Sequence, residues 1–226
     1  MFSESDIAAL LLTLKLAGIS TMVLILFGTP LAWWLAKSTW RFKFLIEALV
    51  ALPLVLPPTV LGFYLLVVFS PQSIIGQLFE SLVGQPLAFS FTGLVIGSVI
   101  YSLPFVIQPL QNAFIAVGRR PVEVAATLRA SPFDRFVSVV VPLAKPGFMS
   151  ASVLGFAHTL GEFGVVLMIG GNIPGETQVA SIAIYEHVES MQLTNAHGLS
   201  AALLLVSFSL LVLVYAANPK ARVLRL

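Results

Sequence analysis

Five long apolar segments constrain the fold of this chain more than any other feature of its sequence. A helix of about 20 apolar residues crosses the hydrocarbon core of a bilayer, where every backbone polar group must find a partner within the protein. Of the 226 residues, 58% are hydrophobic and 10% are charged, whereas a soluble domain has roughly 25% charged residues. The sequence predicts an all-α integral membrane protein, one transmembrane domain over residues 1–226, with about five spans: Ile7–Ala36, Leu45–Phe69, Leu87–Val117, Phe148–Ile169 and Leu199–Ala217.

The residues ahead of the first span are mostly polar and include no Lys or Arg. Because a secretory signal begins with a basic region, we expect no cleaved signal peptide. An amphipathic turn here could add an extra short N-terminal helix. The chain contains no cysteine, which excludes a disulfide framework and a thiolate metal site.

Basic residues occupy alternate connecting segments, and their distribution predicts the orientation of the chain. Segments 70–86 and 170–198 contain acids but no Lys or Arg. Cytoplasmic loops are enriched in Lys and Arg, so we expect the N-terminus outside and the C-terminus in the cytoplasm. Lys15 is the exception; it lies near the outer end of the first span and can extend outward. The residues predicted to be cytoplasmic are Lys37, Arg41, Lys43, Arg119, Arg120, Arg129, Arg135, Lys145, Lys220, Arg222 and Arg225.

The longest polar interruption, residues 118–147, predicts two short helices with a break between them. Pro121 suits the first turn of a helix, and Glu123 places a negative charge near the same N-terminus. Ser131 is a good N-cap for a second helix over residues 132–142, and it is followed by an acid where a capping box requires one.

This polar segment resembles the cytoplasmic EAA loop of ABC-importer permeases. The family pattern begins Glu-Ala-Ala, has a Gly after a short spacer and ends near Leu-Pro; here the segment begins Glu123-Val124-Ala125 and ends with Val139 to Pro142. Arg129 replaces the Gly that eases the turn, so we expect Ser131-Pro132 to supply a shifted turn. The resemblance implies a type I ABC importer permease fold. It also implies a loop, 118–147, that couples the chain to an ATP-binding subunit through Glu123, Val124, Ala125, Ala126, Arg129, Ser131 and Asp134.

Two spans contain unusual residues that are candidates for a translocation pathway or gate. Three prolines in the second span predict a bent or broken helix, which is either a packing kink or a distorted element that lines a pathway. In the fourth span an acid and a histidine four residues apart would share one helix face and should point toward protein or water. The alternative for the acid is a protonated carboxyl, hydrogen-bonded inside the bundle. The candidates are Pro57, Pro58, Thr59, His158 and Glu162, and these give too few ligands for a metal site.

Other polar residues have more ordinary interpretations. Amides near the inner end of the third span, Gln111 among them, are expected to join neighbouring helices. Residues 179–191 predict an amphipathic helix at the outer surface. Its acids Glu186 and Glu189 either meet an external partner or form a solvated face, and His187 and His197 are interpreted as surface polar residues.

Three further segments resemble permeases of oxyanion importers, and their molybdate branch most of all. They are Leu52–Leu65, Thr159–Gly164 and Gly171–Thr177. The resemblance implies a homodimeric, non-catalytic permease of the bacterial cytoplasmic membrane that passes molybdate or a similar oxyanion. Its partners would be two ATP-binding subunits, which hold ATP and magnesium, an external substrate-binding protein and membrane lipid, without nucleic acid or a cofactor of its own.

Alternatives remain open at this point. Sulfate, thiosulfate or tungstate permeases of the same architecture would look alike in these segments. An ATP-independent channel or ion-coupled carrier would be expected to show internal repeats or more intramembrane charge. A membrane enzyme would be expected to show a cluster of reactive residues.

Overall fold

The computed structural model describes residues 3–217, and regular structure in this range is entirely helical. The basic residues predicted to follow the fifth span lie outside the described residues. Residues 3–217 contain twelve α-helices and one π-helical turn, Phe136–Val140, which follows Arg135 and precedes Val141. The α-helices are α1 Glu4–Lys37, α2 Lys43–Val55, α3 Pro58–Phe69, α4 Ile74–Val83, α5 Phe91–Val117, α6 Arg120–Thr127, α7 Pro132–Arg135, α8 Val141–Leu143, α9 Lys145–Leu160, α10 Gly164–Gly170, α11 Ala180–Glu189 and α12 Leu193–Ala217.

The first helix begins at the polar N-terminus and continues without a break through the first predicted span. Ser3 caps it, accepting a hydrogen bond from the Asp6 backbone N–H, while the Asp6 side chain accepts from the Ser3 N–H. This capping box satisfies two N–H groups that would otherwise lack partners. The extra N-terminal helix is therefore wrong for the described residues, because the polar turn is the start of α1.

Helices α1, α5 and α9 pack together as the centre of the molecule. Their contact is apolar and fully buried, with Leu24, Val106 and Leu110 each at most 1% exposed. A Cβ added at Gly155 of α9 would lie 2.6 Å from a Val106 methyl, so the glycine allows the two helices to approach closely. In α5 the Gln111 amide donates to Glu47 of α2 at 2.7 Å, which confirms its role in joining helices.

The second predicted span is two helices, α2 and α3, whose axes differ by 114°. Leu56 and Pro57 separate them, and Pro58 opens the second helix. Prolines donate no backbone hydrogen bond, which explains the break. The predicted break is therefore confirmed, whereas its role, packing or lining a pathway, stays a prediction.

Within the described residues, three helices are each long and apolar enough to span a membrane: α1, α5 and residues 193–212 of α12. The number rises to five if each bent pair is one span, the second pair being residues 132–143 with α9, at 73°. About five spans agrees with the prediction. The fourth predicted span differs in detail, because α9 ends at Leu160 and residues 161–163 separate it from α10.

Two shorter helices lie in the segments predicted to be external. Helix α4 lies in connecting segment 70–86, for which the sequence predicts no helix, and its N-cap is Ser73, whose side chain accepts from the Gly76 N–H. Helix α11 confirms the helix predicted within residues 179–191. The prediction that His187 of α11 is an ordinary surface residue is wrong. Its ring lies 2.8 Å from the Asp6 carboxylate, and its side chain is 17% exposed. His197 is exposed, as predicted.

Candidate functional site

The polar loop contains the short helices that the sequence predicts. Helix α6 has Pro121 and Glu123 in its first turn, and the Glu123 N–H donates to the Arg119 carbonyl at 3.0 Å. None of its residues is buried. Packing against the body of the molecule therefore covers this helix only in part.

The turn between the two loop helices lies at Arg129, and the predicted shift to Ser131-Pro132 is wrong. Arg129 has φ of 61°, the left-handed conformation that glycine adopts most easily. It directly follows the C-cap Leu128, where a left-handed residue commonly ends a helix. The arginine thus adopts the backbone conformation of the glycine that it replaces.

The second loop helix begins as predicted, with Ser131 accepting a hydrogen bond from the Asp134 N–H at 3.2 Å. The reciprocal half of a capping box is replaced, because Asp134 accepts from the Ser138 hydroxyl at 2.8 Å. The helical path continues through the π-helical turn and α8 to Ala144, two residues beyond the break predicted at Pro142.

The loop exposes apolar side chains on a largely polar segment. Val124 is 61% exposed, Leu128 78% and Phe133 77%. Glu123 is exposed and has no ion-pair partner within residues 3–217. Ala126 is also exposed, whereas Ala125 is half-buried. An exposed apolar patch of this kind is typical of a surface that another protein covers.

Leu128 and Phe133 were not among the predicted docking residues. They lie on either side of the turn at Arg129, Leu128 as the C-cap of α6 and Phe133 in the first turn of α7, at positions where the family pattern does not specify a residue type. The signal that could have found them was the presence of large apolar residues in an otherwise polar loop.

Separately, a cavity lies where the start of α3 meets the break between α9 and α10. Its volume of about 640 Å³ is in the size range of ligand pockets. It brings together four of the five predicted pathway residues, and Pro57, the residue before α3, does not line it. Tyr101 of α5 adds a phenol that the sequence analysis did not select. The lining residues are Pro58, Thr59, Tyr101, His158, Gly161, Glu162, Phe163, Gly164, Leu167 and Met168.

His158 is held by α5 through hydrogen bonding and ring stacking. Its Nδ1 lies 2.9 Å from the Ser102 hydroxyl, which lies 3.0 Å from the Thr159 hydroxyl. Its ring stacks on Phe105 with centroids 3.9 Å apart. These contacts fix the imidazole at the cavity wall.

Glu162 is buried at the same cavity, with 4% of its surface exposed. Both carboxyl oxygens lack a hydrogen-bond partner, and the Ser98 hydroxyl, which faces this carboxyl without meeting hydrogen-bond geometry, lacks one too. The alternative of a carboxyl hydrogen-bonded inside the bundle is therefore not what the structure has. A shared helix face with His158 is also wrong, since Glu162 follows the end of α9.

The break at Glu162 is stabilised by a contact from the outer helix. The Ser181 hydroxyl of α11 donates to the Glu162 carbonyl at 2.6 Å. Glu186 of α11 accepts from Asn172 at 2.9 Å and from Gln178 at 2.7 Å, so it holds the loop after α10.

No group of three or more His, Cys, Asp or Glu residues suitable for a metal is found within residues 3–217.

These features define a multi-pass membrane protein with an exposed two-helix loop and, at its broken helices, a mainly apolar cavity that His158 and Glu162 also line. Such an architecture is typical of a transport protein. A family model described as "Binding-protein-dependent transport system inner membrane component" matches residues 28–223, and the chain belongs to this family.

Curated relatives match almost the whole chain. It is 59% identical over 216 residues to the molybdenum transport system permease protein ModB of Azotobacter vinelandii, with 96% of each chain covered. It is 33% identical over 190 residues to ModB of Escherichia coli (strain K12), covering 84% of this chain and 83% of that protein.

Solved structures share the fold. A bacterial ABC transporter that imports the polysaccharide alginate has a TM-score of 0.73 and 19% identity, covering 99% of this chain and 81% of that chain. The MetNI methionine ABC transporter, in inward-facing conformations, has a TM-score of 0.70 and 14% identity, covering 96% and 97%. The predicted fold, that of an ABC importer permease, is therefore confirmed.

Proposed function

We propose that this chain is the permease subunit of an ATP-driven importer that passes molybdate across the cytoplasmic membrane. The observation that carries the substrate assignment is the 59% identity, over 96% of both chains, to a molybdenum transport permease. At this identity the residues that contact other subunits and substrate are expected to be largely shared.

The energy for transport would come from a separate ATP-binding subunit that docks on the loop between α5 and α9. Glu123, Val124 and Ala126 are exposed on α6, and Leu128 and Phe133 extend the apolar surface beyond it. ATP hydrolysis in the partner would move this surface, and the helices that continue from it would reorient. The chain itself would have no catalytic role.

We propose that two copies of the chain enclose the pathway and that two ATP-binding subunits attach to them. Pro58 and Thr59 line the cavity but are exposed, so this wall is open in a single copy. A two-fold partner could close it. An alginate importer of the same fold was solved with a periplasmic protein bound to alginate pentasaccharide, and we propose an external binding protein here as well.

The cavity suits brief passage of an oxyanion. The hydroxyl groups of Thr59 and Tyr101 and the imidazole of His158 can hydrogen-bond to oxygen atoms, and no Lys or Arg lines the walls. Without a fixed cation, the anion would be held weakly and released to the cytoplasm. Specificity would then reside in the external binding protein.

Sulfate is the second candidate. The chain is 33% identical over 210 residues to a probable sulfate transport system permease protein, cysT, of Chlorella vulgaris, which covers 93% of this chain and 79% of that protein. Tungstate would also be expected to fit, because it is nearly the same size and shape as molybdate.

The test is reconstitution of the chain with its ATP-binding subunit and binding protein in liposomes. We expect ATP-dependent uptake with molybdate-loaded binding protein and none when ATP is omitted. Uptake of sulfate but not of molybdate would make sulfate the substrate. Uptake without ATP or the ATP-binding subunit would favour a channel or carrier.

A charge reversal tests the docking surface. Glu123→Lys should reduce molybdate-stimulated ATP hydrolysis at least tenfold, because an exposed charge at the docking surface would then repel or misplace its partner. Glu176→Lys, an equal change on the exposed loop after α10, is the control and should retain activity. Normal coupling in Glu123→Lys would contradict the docking assignment.

A further inference from the structure

A second cavity, of about 480 Å³, lies at the loop end of the molecule. It opens between the C-terminal ends of α1 and α5 and the start of α6, and of its lining residues only Glu123 belongs to the docking surface proposed above. Its walls are partly apolar and partly charged. The residues that line it are Ala36, Lys37, Phe114, Ile115, Gly118, Arg119, Val122 and Glu123. We name it the basic pocket.

Cations are concentrated around the basic pocket. The Lys37 ammonium lies over the Trp33 ring, 3.9 Å from its centroid. Arg119 lines the same pocket, and the positive charges of Arg135 and Arg119 both act on Lys37. Within residues 3–217 none of these three cations forms a salt bridge. Glu123 is the one acid among the lining residues, so the local charge is positive.

Like charges held close together destabilise one another unless an anion lies between them. The fold nevertheless brings two cations to this pocket from separate elements: Lys37 at the end of α1 and Arg119 at the N-terminus of α6. The Trp33 ring, over which the Lys37 ammonium lies, also packs on Phe136, the residue that follows Arg135. The two ring centroids are 5.3 Å apart. Ring packing therefore positions Lys37, and because Lys37 and Arg119 are both exposed, an anion in the pocket can reach them.

The apolar walls indicate what kind of anion fits. Ile115, which lines the pocket, is 54% exposed. Trp34, three residues before Lys37 on α1, is 40% exposed. Tryptophan is enriched at the boundary between lipid and water, and basic pockets between membrane helices on the cytoplasmic side bind phosphate headgroups. A ligand with a charged head and an apolar body matches both parts of the wall.

We propose that the basic pocket binds a phosphate-type oxyanion through Lys37 and Arg119, most favourably the phosphodiester of an anionic phospholipid. A free phosphate or molybdate ion has the same oxygen chemistry but leaves the apolar wall uncovered. This proposal does not depend on the transport function, since it concerns lipid or anion binding by the chain in its membrane.

The probe is phosphatidylglycerol, presented to the purified full chain in nanodiscs of phosphatidylcholine. A background with Trp34→Phe and Trp40→Phe leaves Trp33 as the single indole, whose emission reports on its neighbour Lys37. We expect phosphatidylglycerol to shift this emission and to co-purify with the chain. Lys37→Gln with Arg119→Gln should reduce the retained lipid at least fivefold and abolish the emission shift.

The matched control is Arg41→Gln with Arg120→Gln, which removes the same charge from nearby exposed residues outside the pocket. This control should retain the lipid. Saturable emission changes with inorganic phosphate or molybdate, but not with phosphatidylglycerol, would assign the site to the free anion. Equal lipid retention in both double variants, equal loss in both, or no response to any anion would overturn the proposal; melting curves in phosphatidylcholine confirm folding of each variant.

Discussion

Arg129 lies at the turn of the loop between α5 and α9, in a backbone conformation that glycine adopts most easily. Its φ is 61°, and the chain reverses there between α6 and α7. A side chain in the left-handed region costs about 1 kcal/mol relative to glycine. The arginine therefore weakens the loop slightly while placing a cation beside the exposed face of Leu128.

Arg129→Gly should stabilise α6 by about 1 kcal/mol, because glycine removes the backbone strain at the helix end. Amide hydrogen exchange in α6 should slow several-fold. Ala125→Gly is the control, since residue 125 lies in the interior of α6, and glycine there should instead destabilise the helix by roughly 0.8–1 kcal/mol. Faster exchange in Arg129→Gly would show that the guanidinium contributes more than the strain costs.

Glu162 is the other residue whose local energetics are unfavourable. A buried polar group without a partner costs roughly 1–3 kcal/mol. Such a group at a cavity wall suggests that function, and not stability, retains it.

Glu162→Met should raise the free energy of unfolding by about 1–2 kcal/mol, because methionine fills similar space without an unsatisfied carboxyl. Thermal unfolding in detergent measures the stability, and liposome uptake measures the function, which should fall. The control Glu80→Met changes an exposed residue of α4 and should alter neither by much. Lower stability in Glu162→Met would mean that the carboxyl is satisfied in its native environment.

At the scale of elements, the contact between α3 and α10 shapes the cavity. A Cβ at Gly164 would lie 2.7 Å from the Pro58 Cβ, and one at Gly62 would lie 2.7 Å from the Met168 Cβ. The two helices therefore approach closely at both ends of their contact, and neither glycine can be enlarged without separating them.

Gly164→Ala should destabilise the protein by roughly 1–3 kcal/mol, as overpacking does, and should lower uptake by displacing Pro58. Thermal unfolding and uptake are the measurements. Gly18→Ala is the matched control, because a Cβ there has no atom within 4 Å and alanine favours the helix. A Gly164→Ala variant as stable as Gly18→Ala would show that α10 can move freely.

Of the two helix breaks at the cavity, only the one between α2 and α3 is predicted by the sequence. Three prolines indicated the break between α2 and α3, because proline acts through its own backbone. The break after Leu160 has no proline, and it is held by the Ser181 hydroxyl and the packing of α10 on α3. Contacts from a later helix cannot be read from the local pattern.

For the whole molecule, the orientation in the membrane is a prediction that the chain makes easy to test. It has no cysteine, so a single introduced cysteine is the only thiol. Glu176→Cys should react with an impermeant maleimide added outside intact cells, and Thr127→Cys should react only after the membrane is opened. Both residues are exposed. The reverse labelling pattern would contradict the orientation.

The sequence by itself determined the helical membrane class, the proline break and the two loop helices. These features depend on local causes: runs of apolar residues, missing N–H groups and helix caps. The tertiary structure alone decided that Asp6 pairs with His187, 181 residues away, that Glu162 lines a cavity with His158 and has no partner, and that Lys37 and Arg119 line one pocket. Such contacts join distant segments, and only the packing of the helices brings them together.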